Sequence, residues 1–172
     1  EVWRGIEEGL KAVIINPCVI LGPGNWNESS LTIFKTAAKG ISFYPSGRNA
    51  IVDARDVAKS MRLLMTSSIT SERFLCVGVN NSFQNLFSQL SLKFGRKPPS
   101  ILVPRWIALT FAFLSETSNR IIGKKSGLSI ETAYSAYKSI EYDYSKLKKA
   151  LDIEFHTLEE TIDNAIAFKH FD

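Results

Sequence analysis

The 172-residue sequence is poor in the residues that staple or metallate small domains. It has two cysteines, Cys18 and Cys76, each inside an apolar run and neither in a Cys-x-x-Cys or Cys/His cluster. That excludes a disulfide framework and a zinc site, and it reads as small buried thiols in a reducing compartment. The two histidines, His156 and His170, lie near the C-terminus with no second ligand at metal spacing. No apolar run reaches the ~20 residues a bilayer span requires. The longest, Ile101 to Leu114, is interrupted by Pro104 and Arg105 and reads as a buried helix. No basic segment followed by an apolar stretch opens the chain, so no secretory signal is visible, and a cytoplasmic location with no membrane partner is expected. An initiator Met is also missing: Glu1 leads straight into helix-like sequence, as in a cleaved or engineered fragment. There is no repeat and no low-complexity tract.

With 45% hydrophobic and 22% charged residues, the chain has the apolar content of one or at most two globular domains and can bury a sizeable core. Its formal charge is +4, but Lys and Arg are interleaved with Asp and Glu along the chain, which predicts a solvated basic surface and no nucleic-acid partner.

Trp3, Ile6 and Leu10 share one helical face, so Glu1 to Leu10 reads as the end of a helix. Lys11 to Ile15 is a continuous apolar run suited to a strand buried on both faces of a parallel sheet, with Asn16-Pro17 stopping the pairing and Gly22-Pro23-Gly24 marking a loop. A helix carrying Leu31, Phe34 and Ala38 follows, then Ile41 to Tyr44 and Ala50 to Val52 as a short extended pair around Pro45-Ser46-Gly47. Asp53 and Asp56 precede the apolar stripe of Val57, Met61, Leu64 and Met65, a helix-start signal. Residues 73–78 read as a returning strand, and Ser82 opens a helix ending before Gly95. Further helices are predicted from Arg105 to about Asn119, Ser129 to about Lys138, Ser145 to Leu151 and Leu158 to Phe171. Three or four strands cannot make a doubly wound sheet alone, and the first has no partner upstream. A piece is missing.

Three ordered stretches carry a resemblance. Gly9 to Gly24 (GLKAVIINPCVILGPG) is similar to the segment of extended short-chain dehydrogenases/reductases that follows the catalytic Tyr-x-x-x-Lys helix. Ile51 to Ala58 (IVDARDVA) resembles their Val-Asp/His-x-x-Asp-Val-Ala segment, and Tyr142 to Glu160 resembles their terminal signature. The resemblance to this NAD-dependent epimerase/dehydratase family implies an α/β fold, the C-terminal part of a Rossmann-type enzyme. Residues 1–28 would end the core and form the nicotinamide loop, and residues 29–172 would form a mixed, helix-rich substrate-binding region. The family's glycine fingerprint is absent here: Gly22-x-Gly24 has no third glycine. The catalytic Tyr and Lys would fall upstream of Glu1. Tyr134/Lys138 and Tyr142/Lys146 share their spacing but come too late in the chain. Tyr134 reads as a packing residue and Lys146 as a solvated one.

Carried over residue by residue, the resemblance makes Pro17, Cys18, Val19 and Ile20 the wall against the nicotinamide of NAD or NADP. Asn16 becomes a substrate-side polar group, or else a strand cap. Asp53 and Asp56 read as helix-capping residues. Nucleotide-sugar epimerases of the family place an Arg just before the Val-Asp strand to clamp diphosphate; here Asn49 stands there, with Arg48 one residue earlier and hence on the opposite face. That, with Gly123-Lys124-Lys125, resembles the dihydroflavonol reductase branch. Trp106 and the helix through Leu114 line an apolar substrate pocket or pack in the core. The implied parent transfers hydride at a carbonyl or carbinol carbon with the missing N-terminal nucleotide-binding half as partner, and the resemblance also allows a homo-oligomer. This chain alone is expected to be inactive. The rival reading is a non-catalytic module that kept the fold.

Overall fold

The computed structural model describes residues 1–122 and 130–168. The chain forms two compact units from interleaved segments: residues 1–32, 50–80 and 142–172 in one, residues 33–49 and 81–141 in the other.

The first unit opens with α1 (Val2–Glu7), which leads to β1 (Val13–Pro17) and β2 (Val19–Leu21). After α2 (Thr32–Lys39) and β3 (Phe43–Tyr44), β4 (Arg48–Asp53) returns and runs into α3 (Ala54–Thr66). Next come β5 (Glu72–Cys76) and β6 (Val79–Ser82). β1 pairs with β5 in parallel, from Val13 opposite Glu72 to Pro17 opposite Cys76. β2 pairs with β4 in parallel at Val19–Ile51 through Leu21–Asp53, and the three-stranded order is β2-β4-β6.

β1 therefore includes Asn16 and Pro17, two residues that sequence reading placed beyond the strand. The ladder explains why proline is tolerated. The Cys18 amide donates to the Cys76 carbonyl at 3.2 Å, and alternation turns the amide positions of Pro17, Ile15 and Val13 to the opposite edge. Proline's missing N–H thus falls on the side where no described strand pairs.

Only one face of β1 and β5 is packed. Val13, Ile15, Phe74 and Cys76 meet Val57 and Leu64 of α3 and Leu147 of α7 (Ser145–Leu151). The burial expected on both faces is not found: Asn16 and Leu75, opposite each other in register, are exposed. The α3 stripe divides likewise, with Val57 and Leu64 buried but Met61 and Met65 exposed at 48% and 84%. Beside them opens a cleft of about 630 Å³ lined by Val13, Ile15, Met61, Met65 and Ile69.

α8 (Leu158–Ala167) closes this unit on a reciprocal cap. The Thr157 hydroxyl accepts from the Glu160 amide, and the Glu160 carboxylate accepts from the Thr157 amide at 2.7 Å. The predicted extension toward Phe171, and with it His170, lies outside the described residues.

The second unit takes in α2 from Ile33 onward and β3, together with α4 (Phe83–Lys93), β7 (Ile101–Leu102), α5 (Arg105–Ile122) and α6 (Ile130–Ser135). Ser82 caps α4 as predicted, its hydroxyl accepting from the Asn85 amide at 3.1 Å. The expected hairpin around Pro45-Ser46-Gly47 does not form: β3 pairs in parallel with β7, and β4 with β2. The Gly47 amide instead donates to the Ala136 carbonyl at 3.1 Å, diverting the chain before it can fold back. Gly123-Lys124-Lys125 and Ser129 lie outside the described residues.

Candidate functional site at the carboxyl end of β1

In open α/β sheets ligands bind beyond the carboxyl ends of parallel strands, because the loops there are free of the ladder while the strands hold them rigidly. In the first unit that end is Asn16 to Leu21. Asn16 and Pro17 are exposed, Ile20 is 38% exposed, and Val19 is half-buried. Leu21 is buried and aligned with Asp53. The Ser30 hydroxyl donates to the Ile20 carbonyl at 2.9 Å, which fixes the loop from its far side. Asn16 presents its amide on one face of the strand end, its neighbour Pro17 is exposed on the other, and Ile20 adds apolar surface beyond them.

Cys18 does not join that outward surface. Its thiol packs with the core residues around Cys76, and its amide is already taken by Cys76. Burial, reinforced by the neighbouring Cys76, pushes the Cys18 thiol up to about 12, and burial pushes Cys76 up to about 11. Both are neutral at physiological pH, so neither supplies a thiolate nucleophile.

Of the other two predicted site residues, Arg48 and Trp106 both belong to the second unit. Arg48 lies at the start of β4 with its guanidinium 2.9 Å from the Glu141 carboxylate. Trp106 stands on α5, 70% exposed. The expectation of core packing for this helix is overturned: Phe111, Phe113 and Leu114 are also more than half exposed, and Ala112 is the fully buried residue. Periodicity located the apolar residues, but α5, which contacts α6, buries the small Ala112 and leaves its large apolar side chains outside.

The lysines of the two Tyr-x-x-x-Lys pairs are directed elsewhere than to a phenol oxygen. Lys138 sits 5.0 Å above the Tyr134 ring centroid, and Arg105 lies at 4.4 Å from it, so both cations address the ring. Tyr134 is 44% exposed. Lys146 is exposed, as expected of a solvated helix residue, and it also binds the Glu72 carboxylate and the Arg73 carbonyl and lies over Phe74, pinning α7 to β5.

Sequence reading also missed the division of labour between the two acids at the start of α3. Asp53 is the N-cap: its Oδ1 accepts from the Arg55 amide at 2.8 Å, and its carboxylate binds the Arg55 guanidinium through Nε and Nη2. Burial pushes its carboxyl up, but hydrogen bonds and charge from Arg55 outweigh it, and the result is a pKa below the ordinary carboxylate value. That contribution to stability is present above the unfolded-state pKa and is lost as pH falls through the lowered folded value.

Asp56, read as a cap, is buried and serves a distant segment. Its Oδ2 accepts from the His156 amide at 2.8 Å, and its Oδ1 lies 2.7 Å from His156 Nδ1. The pair ties the start of α3 to the turn before α8. Both carboxylate oxygens are engaged in holding that turn. Among the described residues no cluster of His, Cys, Asp and Glu could hold a metal ion.

No family model matches the chain. A Synechocystis sp. protein named "Putative dihydroflavonol 4-reductase" is 23% identical over 96% of this chain and 50% of its own length. The crystal structure of gox2253 superposes with a TM-score of 0.74 at 26% identity, covering 97% of this chain and 52% of that one. PA4631, a nucleoside-diphosphate-sugar epimerase from Pseudomonas aeruginosa, gives 0.73 at 19% identity over 96% and 50%. The Bordetella bronchiseptica enzyme WbmG, crystallised with NAD and UDP, gives 0.63 at 14% identity over 95% and 44%. The chain spans about half the length of the proteins it matches, and its fold is that of their C-terminal half.

Proposed function

We propose that this chain, the C-terminal portion of an extended short-chain dehydrogenase/reductase of the NAD-dependent epimerase/dehydratase type, supplies the nicotinamide wall and the substrate-side surface of an NAD(P)-dependent enzyme. The observation that carries this reading is the carboxyl end of β1, where Asn16, Pro17 and Ile20 stand exposed beside a strand edge that no described strand pairs. Residues 1–172 act as a single substrate-binding portion, working with an N-terminal nucleotide-binding half.

That partner extends the sheet along the free edge of β1, where the amide positions of Val13 and Ile15 point. It also covers the cleft beside Met61 and Met65. These residues fit one end of the cofactor. Pro17 and Ile20 offer apolar surface to a flat ring, but no glycine turn at a helix N-terminus is present to cradle pyrophosphate. When bound, NAD or NADP supplies the hydride acceptor or donor. Pro17 and Ile20 pack against its ring and exclude water, and the Asn16 amide orients a substrate oxygen. The general acid/base comes from the partner half.

The test is a titration with NADH and NADPH. The chain alone is expected to show no saturable micromolar signal, and binding with hydride transfer is expected once the nucleotide-binding half is supplied. One-to-one micromolar binding by the chain alone would sink the division of labour.

The substrate in this reading is a small or moderately hydrophobic carbonyl compound. Support comes from Arg48, whose charge faces the Glu141 carboxylate and so is not free to clamp a diphosphate. Arg48→Ala in the complete enzyme is expected to leave kcat/KM within about threefold, as for loss of a partly exposed ion pair. Turnover of a nucleotide sugar that collapses in this variant would return the diphosphate clamp to the enzyme.

A further inference from the structure

The overall +4 charge conceals a separation. The second unit, residues 33–49 and 81–141, carries eleven Lys and Arg against three Asp and Glu, a net +8; the rest of the chain carries ten against fourteen, a net −4. Charges that look interleaved along the sequence are sorted by the fold.

The basic unit also holds α5, whose polarity is the reverse of an ordinary surface helix. No charged residue falls between Arg105 and Glu116. Trp106, Ile107, Phe111, Phe113 and Leu114 are 42% to 70% exposed, while Ala112 is fully buried. At 3.6 residues per turn those five side chains occupy a continuous outward arc of roughly 160°. Pro104 joins the helix to β7, whose Ile101 and Leu102 are half exposed as well. Arg96, Lys97 and Arg105, all exposed, flank this stretch.

We propose that this face seats on an anionic lipid bilayer. α5 lies in the plane of the interface, its large apolar side chains in the headgroup–acyl boundary and the surrounding Lys and Arg facing lipid phosphates. A Trp at the rim of an apolar helix face suits that boundary, being apolar in body with one polar N–H. Charge decides between occupants. A second copy docking through the same face would bring one +8 unit against another, whereas an anionic surface complements it. Nucleic acid would match the charge, and Trp106, Phe111 and Phe113 could stack on bases, but the aliphatic Ile101, Leu102, Ile107 and Leu114 exposed on the same stretch would gain no such partner, whereas the headgroup–acyl boundary takes both kinds of side chain. Among the described residues no helix is long and apolar enough to cross a membrane, so the contact is peripheral. The sequence-based expectation of no membrane partner considered only spanning segments.

The test is co-sedimentation of the full chain with phosphatidylcholine vesicles, with and without about 30 mol% phosphatidylglycerol, read alongside tryptophan emission. Expected are at least about tenfold preference for the anionic vesicles, a blue-shifted emission, and release at about 0.5 M salt. Trp106→Ser with Leu114→Ser changes exposed positions only, so far-UV dichroism should be unaltered while anionic binding falls about tenfold or more. Arg96→Glu with Lys97→Glu leaves the apolar face intact and should weaken binding through charge alone. Equal or absent binding to the two vesicle types would overturn the proposal. So would a wild-type dimer that the Trp106/Leu114 variant converts to monomer, or retention by a single-stranded oligonucleotide that the same variant abolishes.

Discussion

Asp56→Ala is expected to destabilise the first unit by about 2–4 kcal/mol, a large share of the roughly 5–15 kcal/mol that holds a typical domain folded. The carboxylate is buried and has two partners, the His156 amide at 2.8 Å and His156 Nδ1 at 2.7 Å. Hydrogen bonds to a charged group contribute about 1.5–3 kcal/mol each. The ring bond belongs at the low end, because a third of the His156 side chain is exposed and water can replace the lost partner. The amide bond is part-buried, so truncation leaves its donor less well satisfied at the turn that introduces α8. His156→Ala removes only the ring contact and should cost about 1 kcal/mol. Urea denaturation of both variants separates the two contributions. Equal midpoints for Asp56→Ala and His156→Ala would show that the backbone bond contributes little, and that the carboxylate serves the imidazole alone.

That pair also shows where sequence reading stops. An Asp in the first turn of a helix stabilises it through the dipole wherever its side chain points, so Asp53 and Asp56 read alike. What separates them is a contact across 100 residues, which no local pattern encodes. The run at Lys11 to Ile15 and the returning strand were legible because continuous apolar, β-branched stretches leave few alternatives, and their parallel pairing follows. Of the two-residue strands, β3 fell within the extended stretch read at Ile41 to Tyr44, but its partner β7 was not legible, since so short a strand has no period to read. For α5 the apolar spacing was plain, but periodicity reports which residues share a face and not whether another element covers it. At the candidate site the outward position of Asn16 follows from alternation with the core-facing Ile15, whereas Pro17 falls on the packed face and is exposed at the strand's end. The inward turn of Cys18 depends on Cys76, a neighbour that only the fold supplies.

Gly47→Ala is expected to be the most damaging single-methyl change in the second unit. A Cβ built there would stand 2.7 Å from the Lys138 carbonyl oxygen and 2.8 Å from the Ala136 carbonyl carbon, with the Ala136 oxygen closer still. All three are backbone atoms, so no side chain can rotate away. The segment cannot simply shift, because three bonds fasten it: Gly47 N–H to Ala136 O at 3.1 Å, Arg48 N–H to Lys138 O at 2.9 Å, and Ile140 N–H to Arg48 O at 3.2 Å. Relieving the clash means parting at least one of these, at about 1 kcal/mol apiece, on top of about 1–3 kcal/mol of overpacking. The expected loss is about 2–4 kcal/mol. Gly40→Ala is the control for glycine's other role: its φ of +93° strains any L-residue, but nothing lies within 4 Å of the added methyl, so the cost is about 1–2 kcal/mol of backbone strain alone. Trp106 reports on this unit, whereas Trp3 and Trp26 lie in the other, so urea titrations in a Trp3→Phe, Trp26→Phe background follow it selectively. A Gly47→Ala midpoint no lower than that of Gly40→Ala would mean that residues 136–140 yield freely, and that the diversion of the chain at Gly47 is not what prevents β3 and β4 from forming a hairpin.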